Sequence, residues 1–222
     1  MHIPGIHGIL RIRWNCIALL PPSKSEFVST VCCVVLAAGF SERLGEEKAL
    51  LETGQGPLVG WLVSRLVSHG INPVVVTRRG IASEVESSVL PCEVVVNQIP
   101  EDGRTGSIIV GISKLDRDFG EGYRLLVVPV DRPGFSDSTL MRLISSEVTC
   151  CPSKDGRGGH PILLSKRDVE IIRSAPHDAP LRSIISKERF QVNDRFLHLN
   201  IDSTEDLEDF RELMENMEES GV

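Results

Sequence analysis

From Thr30 onward the chain alternates short runs of β-branched residues with longer stretches of helical spacing, and this rhythm restricts the fold more than any other feature. Val31 to Leu36, Pro73 to Thr77, Glu93 to Val96 and Arg124 to Val128 read as strands. Leu58 to His69, Ile81 to Leu90, Thr105 to Leu115 and a segment capped by Ser136 and running to Glu147 read as the helices between them. The pattern is that of βαβ units, so the expected class is α/β: a single domain built on a mainly parallel, twisted, Rossmann-like sheet with helices on both faces.

Beyond Val148 the rhythm changes. Asp155-Gly156-Arg157-Gly158-Gly159 is a turn between two short extended runs, which predicts a small β-hairpin inserted beside the main sheet, in a region suited to gripping a second substrate. Ser165 to Ser174 and Ala179 to Lys187 are expected to form short helices, and Phe196 to Ile201 a last strand. Ser203 to Met217 is expected to close the chain as a helix, with Ser203 as N-cap and Glu205 and Asp206 in the first turn, where they suit the dipole.

A chain of 222 residues, 41% of them hydrophobic, has apolar material for one sizeable core, so residues 31–222 are expected to form one domain. Residues 1–30 read as a flexible or loosely docked extension. Arg11 and Arg13 precede the apolar stretch Trp14 to Leu20, but Pro21-Pro22-Ser23-Lys24 offers no small-residue cleavage site for a signal peptide. The net charge of −7 argues against a broad nucleic-acid surface while allowing a local basic pocket. No apolar run approaches the roughly 18 residues of a membrane span. The six cysteines contain no CxxC spacing, and the pairs Cys32-Cys33 and Cys150-Cys151 would face opposite sides of a strand; reduced, structural thiols in the cytosol are expected.

The first strand runs directly into Ala37-Ala38-Gly39, where small residues let backbone approach a ligand at the carboxyl edge of the sheet. A glycine there also serves the geometry of a strand-to-helix turn, so the cations decide the reading. Arg43 and Lys48 can both reach oxygens cradled by a loop hinged at Gly39 and Gly45, the combination a triphosphate needs; the alternative is two solvated cations beside Glu46 and Glu47. Asp131 and Asp202 each follow an expected strand and are candidates for Mg²⁺, which one or two carboxylates commonly hold, or else turn formers. Thr77 and Asn97 end strands at the same edge, either as ligands of a base or ribose or as ordinary strand terminators.

Leu36 to Lys48 fills every fixed position of LAAGxSxRxGxxK, and by it the chain resembles the MobA-like NTP transferases, most closely the molybdenum cofactor cytidylyltransferases. The likeness extends over about residues 31 to 212, with further motifs in the same order. Asp131-Arg132-Pro133 is similar to the D-x-P after the central strand, with Arg132 replacing the usual Met or Gln. Asn200-Ile201-Asp202-Ser203-Thr204-Glu205-Asp206 is similar to the closing NID-[ST]-x-ED. Gly103-Arg104-Thr105-Gly106-Ser107-Ile108 resembles G-x-x-x-S-[LI], with Arg104 in place of an apolar residue, and Gly159-His160-Pro161-Ile162-Leu163 resembles GHP[VI]L.

The resemblance implies a nucleotide-diphospho-sugar transferase-like fold and the transfer of CMP from CTP to the phosphate of molybdopterin cofactor, with release of pyrophosphate. It implies Leu36, Ala37, Ala38, Gly39, Arg43, Lys48, Thr77, Asn97, Gly103 and Ser107 at the nucleotide, Arg43, Lys48 and Asp131 in catalysis, and Mg²⁺ on Asp131 and Asp202. His160 and Arg182 would hold the acceptor. Ala38, where the related guanylyltransferases carry glycine, leans toward CTP over GTP. Guanylyl transfer to molybdopterin or another phosphorylated small molecule is the alternative within enzymes, and a non-catalytic pterin-binding maturation chaperone is the alternative from another class. Transient contact with a molybdoenzyme or maturation factor is a further expectation; nucleic-acid and membrane partners are not expected.

Overall fold

The computed structural model describes residues 30–219, so the extension read at residues 1–30 lies outside them but for Thr30. The first half of the chain is four strands and three helices in alternation: β1 (Val31–Ala37), α1 (Leu58–Ser68), β2 (Pro73–Arg78), α2 (Ala82–Ser88), β3 (Glu93–Asn97), α3 (Gly103–Phe119) and β4 (Arg124–Pro129). The second half contributes α4 (Asp137–Ile144), β5 (Cys150–Lys154), β6 (Arg157–Gly158), β7 (Ile162–Leu164), α5 (Lys166–Arg173), α6 (Leu181–Ile184), β8 (Glu188–Gln191) and α7 (Asp206–Glu219). All eight strands join one sheet in the order β3-β2-β1-β4-β7-β5-β6, with β8 also paired to β5.

The first four strands are parallel, with Ala37 of β1 opposite Thr77 of β2 and Val35 opposite Val128 of β4. Their carboxyl ends therefore share one edge of the sheet, the edge at which such folds bind ligands. β7 runs antiparallel to β4 and β5, β8 lies parallel to β5, and β5 turns through Asp155-Gly156 into antiparallel β6, so the expected hairpin is present as an extension of the main sheet.

Helices cover both faces, which is why β1 reads as a continuous apolar run rather than an alternating one. Cys33, Val35 and Ala37 enter one core with α1, α2, α4 and α7; Cys32, Val34 and Leu36 enter the other with α3 and α5. The adjacent cysteines follow the same rule: Cys150 belongs to the first core and Cys151 to the second. On the second face the backbone of α3 lies close to the sheet, because a Cβ at Gly111 would stand 2.7 Å from Cγ2 of Val34. Ser136 and Ser165 cap α4 and α5 by accepting from the amides of Thr139 and Asp168, an interaction of about 1 kcal/mol each.

The last quarter of the chain departs from expectation in three places. Phe196 to Ile201 is a turn followed by coil instead of a strand, because β4, whose carboxyl end it crosses, already has β1 and β7 on its two sides. This segment packs across two connections instead: a Cβ at Gly134 would meet the carbonyl of Phe196, and one at Gly159 would meet the side chain of Leu197. The helix expected over Ala179 to Lys187 shrinks to the single turn α6, and the chain then extends into β8, a charged strand at the sheet's margin. Ser203 is not the N-cap of the closing helix, which starts at Asp206; the carboxylate of Asp206 reaches back to accept from the amides of Asp202 and Ser203 at 2.9 and 2.7 Å.

Candidate active site

β1 ends at Ala37, and the next residues form an open loop at the carboxyl edge. The loop closes as a turn in which Leu44 and Gly45 donate to the carbonyl of Ser41, and Gly45 takes a φ of +79° that favours glycine. The backbone amide of Lys48 donates to Oγ of Ser41 at 3.0 Å, which returns the chain to the mouth of the loop. Gly39 differs from Gly45. Its φ is ordinary and a Cβ there would meet nothing within 4 Å, so the bare backbone serves the space in front of it rather than the turn.

That space is a cleft walled by Leu36 to Phe40 and Lys48 on one side, Gly103, Arg104 and Ser107 on a second, and Pro129 to Asp131 on the third. Each wall is the carboxyl end of a parallel strand or the segment just after it. Asp202 reaches the same place without a strand beneath it, because the amide of Ile201 donates to the carbonyl of Asp131 at 3.0 Å. The Nζ of Lys48 is 2.6 Å from Oδ1 of Asp202, and Arg43 pairs with Oδ2. Lys48 is largely enclosed, with a side chain 11% exposed, whereas Arg43 is 76% exposed. The hydrogen bond from Lys48, aided by the charge of Arg43, holds the Asp202 carboxyl below the ordinary carboxylate range.

A profile of the MobA-like NTP transferase domain matches residues 33–192. The chain belongs to the MobA-like NTP transferases. It is thus a nucleotidyltransferase domain, and among its described residues no helix is long and apolar enough to cross a membrane. The fold of this MobA-like chain is shared by a nucleotidyl transferase from Methanothermobacter at 19% identity and a TM-score of 0.68, covering 84% of this chain and 98% of that one. Rv0371c from Mycobacterium tuberculosis, solved as a manganese complex, is similar at 20% identity and a TM-score of 0.62, covering 83% and 98%. A 4-diphosphocytidyl-2C-methyl-D-erythritol synthase from Anaerococcus prevotii follows at 13% identity and a TM-score of 0.60, covering 85% and 99%. Comparison with functionally curated proteins returned no significant match.

Within this MobA-like cleft the residues singled out from sequence fall into three groups. Leu36, Ala37, Ala38, Gly39, Lys48, Gly103, Ser107 and Asp131 line it; Asp202 joins it through Lys48, and Arg43 through Asp202. Asn97 stands one layer behind: it is 5% exposed, its Nδ2 donates to Oγ of Ser107 at 3.1 Å and its Oδ1 accepts from the amide of Ile99. Thr77 is fully buried and donates to the carbonyl of Ala37, so it props the loop from the sheet side. Arg182 is exposed on the one-turn helix α6, whose preceding Ala179 carbonyl accepts from the hydroxyl of Thr105 in α3.

His160 precedes β7 through a cis bond to Pro161. Burial, with the charges of Arg104, Arg132 and Lys187 adding to it, pushes its pKa down to about 3. It is therefore a neutral imidazole at physiological pH, able to donate a hydrogen bond but bringing no charge.

Sequence reasoning passed over Phe40, Glu47 and Arg78. The Arg78 guanidinium lies 5.2 Å over the ring of Phe40 and pairs with Glu47, fastening the loop's outer side to the end of β2. A long cation at a strand terminus beside Thr77 was the available signal; nothing local marked Phe40, because its partner is 38 positions away.

Proposed function

We propose that this MobA-like transferase moves CMP from CTP to the phosphate of molybdopterin cofactor and releases pyrophosphate. The observation that carries the reading is the meeting of Lys48, Asp131 and Asp202 around the bare backbone of Gly39. Cations, carboxylates and open amides at one strand edge are the requirements of a triphosphate whose α-phosphorus is to be attacked.

An oxygen of the acceptor phosphate attacks the α-phosphorus while the bond to the bridging α–β oxygen breaks, and pyrophosphate leaves with that electron pair. The attacking oxygen is already anionic, so the residues here need supply no strong base. Lys48 and Arg43 release Asp202 to meet the triphosphate oxygens, Arg43 with a fork and Lys48 as a compact charge that can follow the leaving group. Ser107, fixed by Asn97, and the backbone at Gly103 are assigned to the nucleoside, and His160 and Arg182 to the acceptor.

The carboxylates of Asp131 and Asp202 are hard oxygen donors on adjacent segments, and two of them suit Mg²⁺, whose remaining positions are filled by phosphates and water. Bound there, the ion would neutralise charge gathering on the phosphate oxygens. The manganese complex of Rv0371c supports divalent-ion use at this fold. Cysteines that back onto separate cores fit a reducing compartment, the cytosol.

The reading is tested by titrating the purified chain with CTP and with GTP in Mg²⁺, then following pyrophosphate release on addition of molybdopterin. CTP preference and release abolished in Asp131→Ala are expected. A GTP preference would overturn the cytidylyl assignment, which leans on Ala38, and undiminished release by Asp131→Ala would overturn the metal assignment.

A further inference from the structure

The acceptor side of the cleft holds more positive charge than the nucleotide accounts for. β4 and β7 run antiparallel with Val127 opposite Ile162, so Asp131-Arg132 leaving one strand lies beside Gly159-His160 entering the other. At this junction the Nε of Arg132 and the Nδ1 of His160 are both buried with no hydrogen-bond partner among the described residues. Burying such groups unpaired is costly, and native structures seldom do so without a ligand or water to meet them.

Arg104, from the start of α3, and Arg157, from the β5–β6 hairpin, lie close enough for their charges to act on Arg132. Arg104 and Arg157 are exposed while Arg132 is half-buried. Arg104 lines the cleft together with Asp131, so guanidiniums from three separate elements act on one another next to that carboxylate. Asp131 offsets one of these charges and Asp202 is already matched by Lys48 and Arg43, so the guanidiniums still outnumber the carboxylates that act on them. Like charges gathered this way repel unless an anion lies between them.

We propose that Arg132, Arg104 and Arg157 form a seat for the anionic group of the acceptor, a phosphate monoester, held beside Asp131 on the His160 side of the cleft. The seat rests on the nucleotidyl-transfer reading of the cleft but not on the acceptor being a pterin. A forked, always-charged side chain is the suitable partner for a dianionic phosphate. Its position next to Asp131 brings the phosphate oxygen to the α-phosphorus, and the uncharged His160 adds a hydrogen bond without adding repulsion.

The test uses the full chain with Mg²⁺ and a non-hydrolysable CTP analogue, and methyl phosphate as the probe, titrated by calorimetry and phosphorus NMR. Arg132→Met is expected to weaken methyl phosphate about ten-fold, equivalent to about 1.4 kcal/mol, while the analogue's affinity stays within about two-fold. Arg132→Lys should fall between, having charge without a fork, and the exposed Arg104→Met should weaken the probe without lowering the melting temperature. If Arg132→Met melts early, Arg104→Met decides. Methyl phosphate bound equally by wild type and both methionine variants would overturn the seat, as would an equal loss of analogue affinity. Acetate binding as tightly as methyl phosphate would overturn the phosphate class. Phosphate binding that follows Arg132 in a chain that does not modify molybdopterin would uphold the seat and overturn the pterin acceptor.

Discussion

The Nζ of Lys48 lies 2.6 Å from Oδ1 of Asp202, a residue 154 positions further along the chain, and Arg43 holds the other oxygen of the same carboxylate. The three side chains set a clear contrast between two substitutions. Lys48→Met is expected to weaken triphosphate binding about ten-fold or more, by loss of charge-assisted hydrogen bonds. Asp202→Asn should leave triphosphate binding near wild type or tighter, since it frees both cations, yet reduce transfer by about two orders of magnitude. Calorimetry with CTP and a pyrophosphate-release assay separate the two; equal loss of binding in both variants would mean the pair is a brace and no more.

Gly39 and Gly45 stand six residues apart in one loop and should respond oppositely to alanine. At Gly39 neither φ nor a neighbour opposes a methyl group, so Gly39→Ala is expected to melt within a degree or two of wild type while losing nucleotide affinity. Gly45→Ala must hold a left-handed φ and is expected to lose about 1 kcal/mol of stability. Denaturant midpoints beside CTP affinities check both.

His160 makes stability depend on pH with a definite sign. Its folded pKa is about 3 against an ordinary 6.5. Between those values the unfolded chain binds a proton that the folded chain does not, so stability falls as pH drops below about 6.5, by about 2 kcal/mol at pH 5. Asp202, depressed by Lys48, retains its contribution above the ordinary carboxyl pKa and loses it only as pH falls through the lowered one, so it is silent in that window. Urea midpoints at pH 7 and pH 5 should therefore differ less in His160→Gln than in wild type. An unchanged pH dependence would place a charged imidazole in the fold.

Away from the cleft, Gly111→Ala puts a methyl group 2.7 Å from Val34 at the interface of α3 and the sheet. Overpacking there is expected to cost about 1–3 kcal/mol in equilibrium unfolding with CTP affinity unchanged.

The parallel half of the sheet was legible because burial on both faces writes a strand as an unbroken β-branched run, as in Val31–Ala37 and Pro73–Arg78. Phe196 to Ile201 looks similar but has no strand edge beside it; its apolar residues answer to Gly134 and Gly159, which no local pattern can report. Glu188–Gln191 failed in the other direction, since a charged marginal strand carries little apolar signal. At the cleft, residues displayed by strand ends were readable, Lys48 and Asp131 among them. The supporting layer, Asn97 under Ser107 and Arg78 on Phe40, exists only through tertiary contact.

Asp202 reaches the cleft only after the segment before it has been laid across Gly134 and Gly159, and the contact with Asp131 is made by the amide of Ile201. On the ribosome, the glycine loop, Lys48 and Asp131 are all synthesised long before their last companion emerges. A nascent chain can thus assemble most of its sheet while Lys48 and Arg43 still lack their carboxylate, so transfer, though not triphosphate binding, waits for the end of translation, and loss of the segment after β8 would silence transfer while sparing the parallel strands.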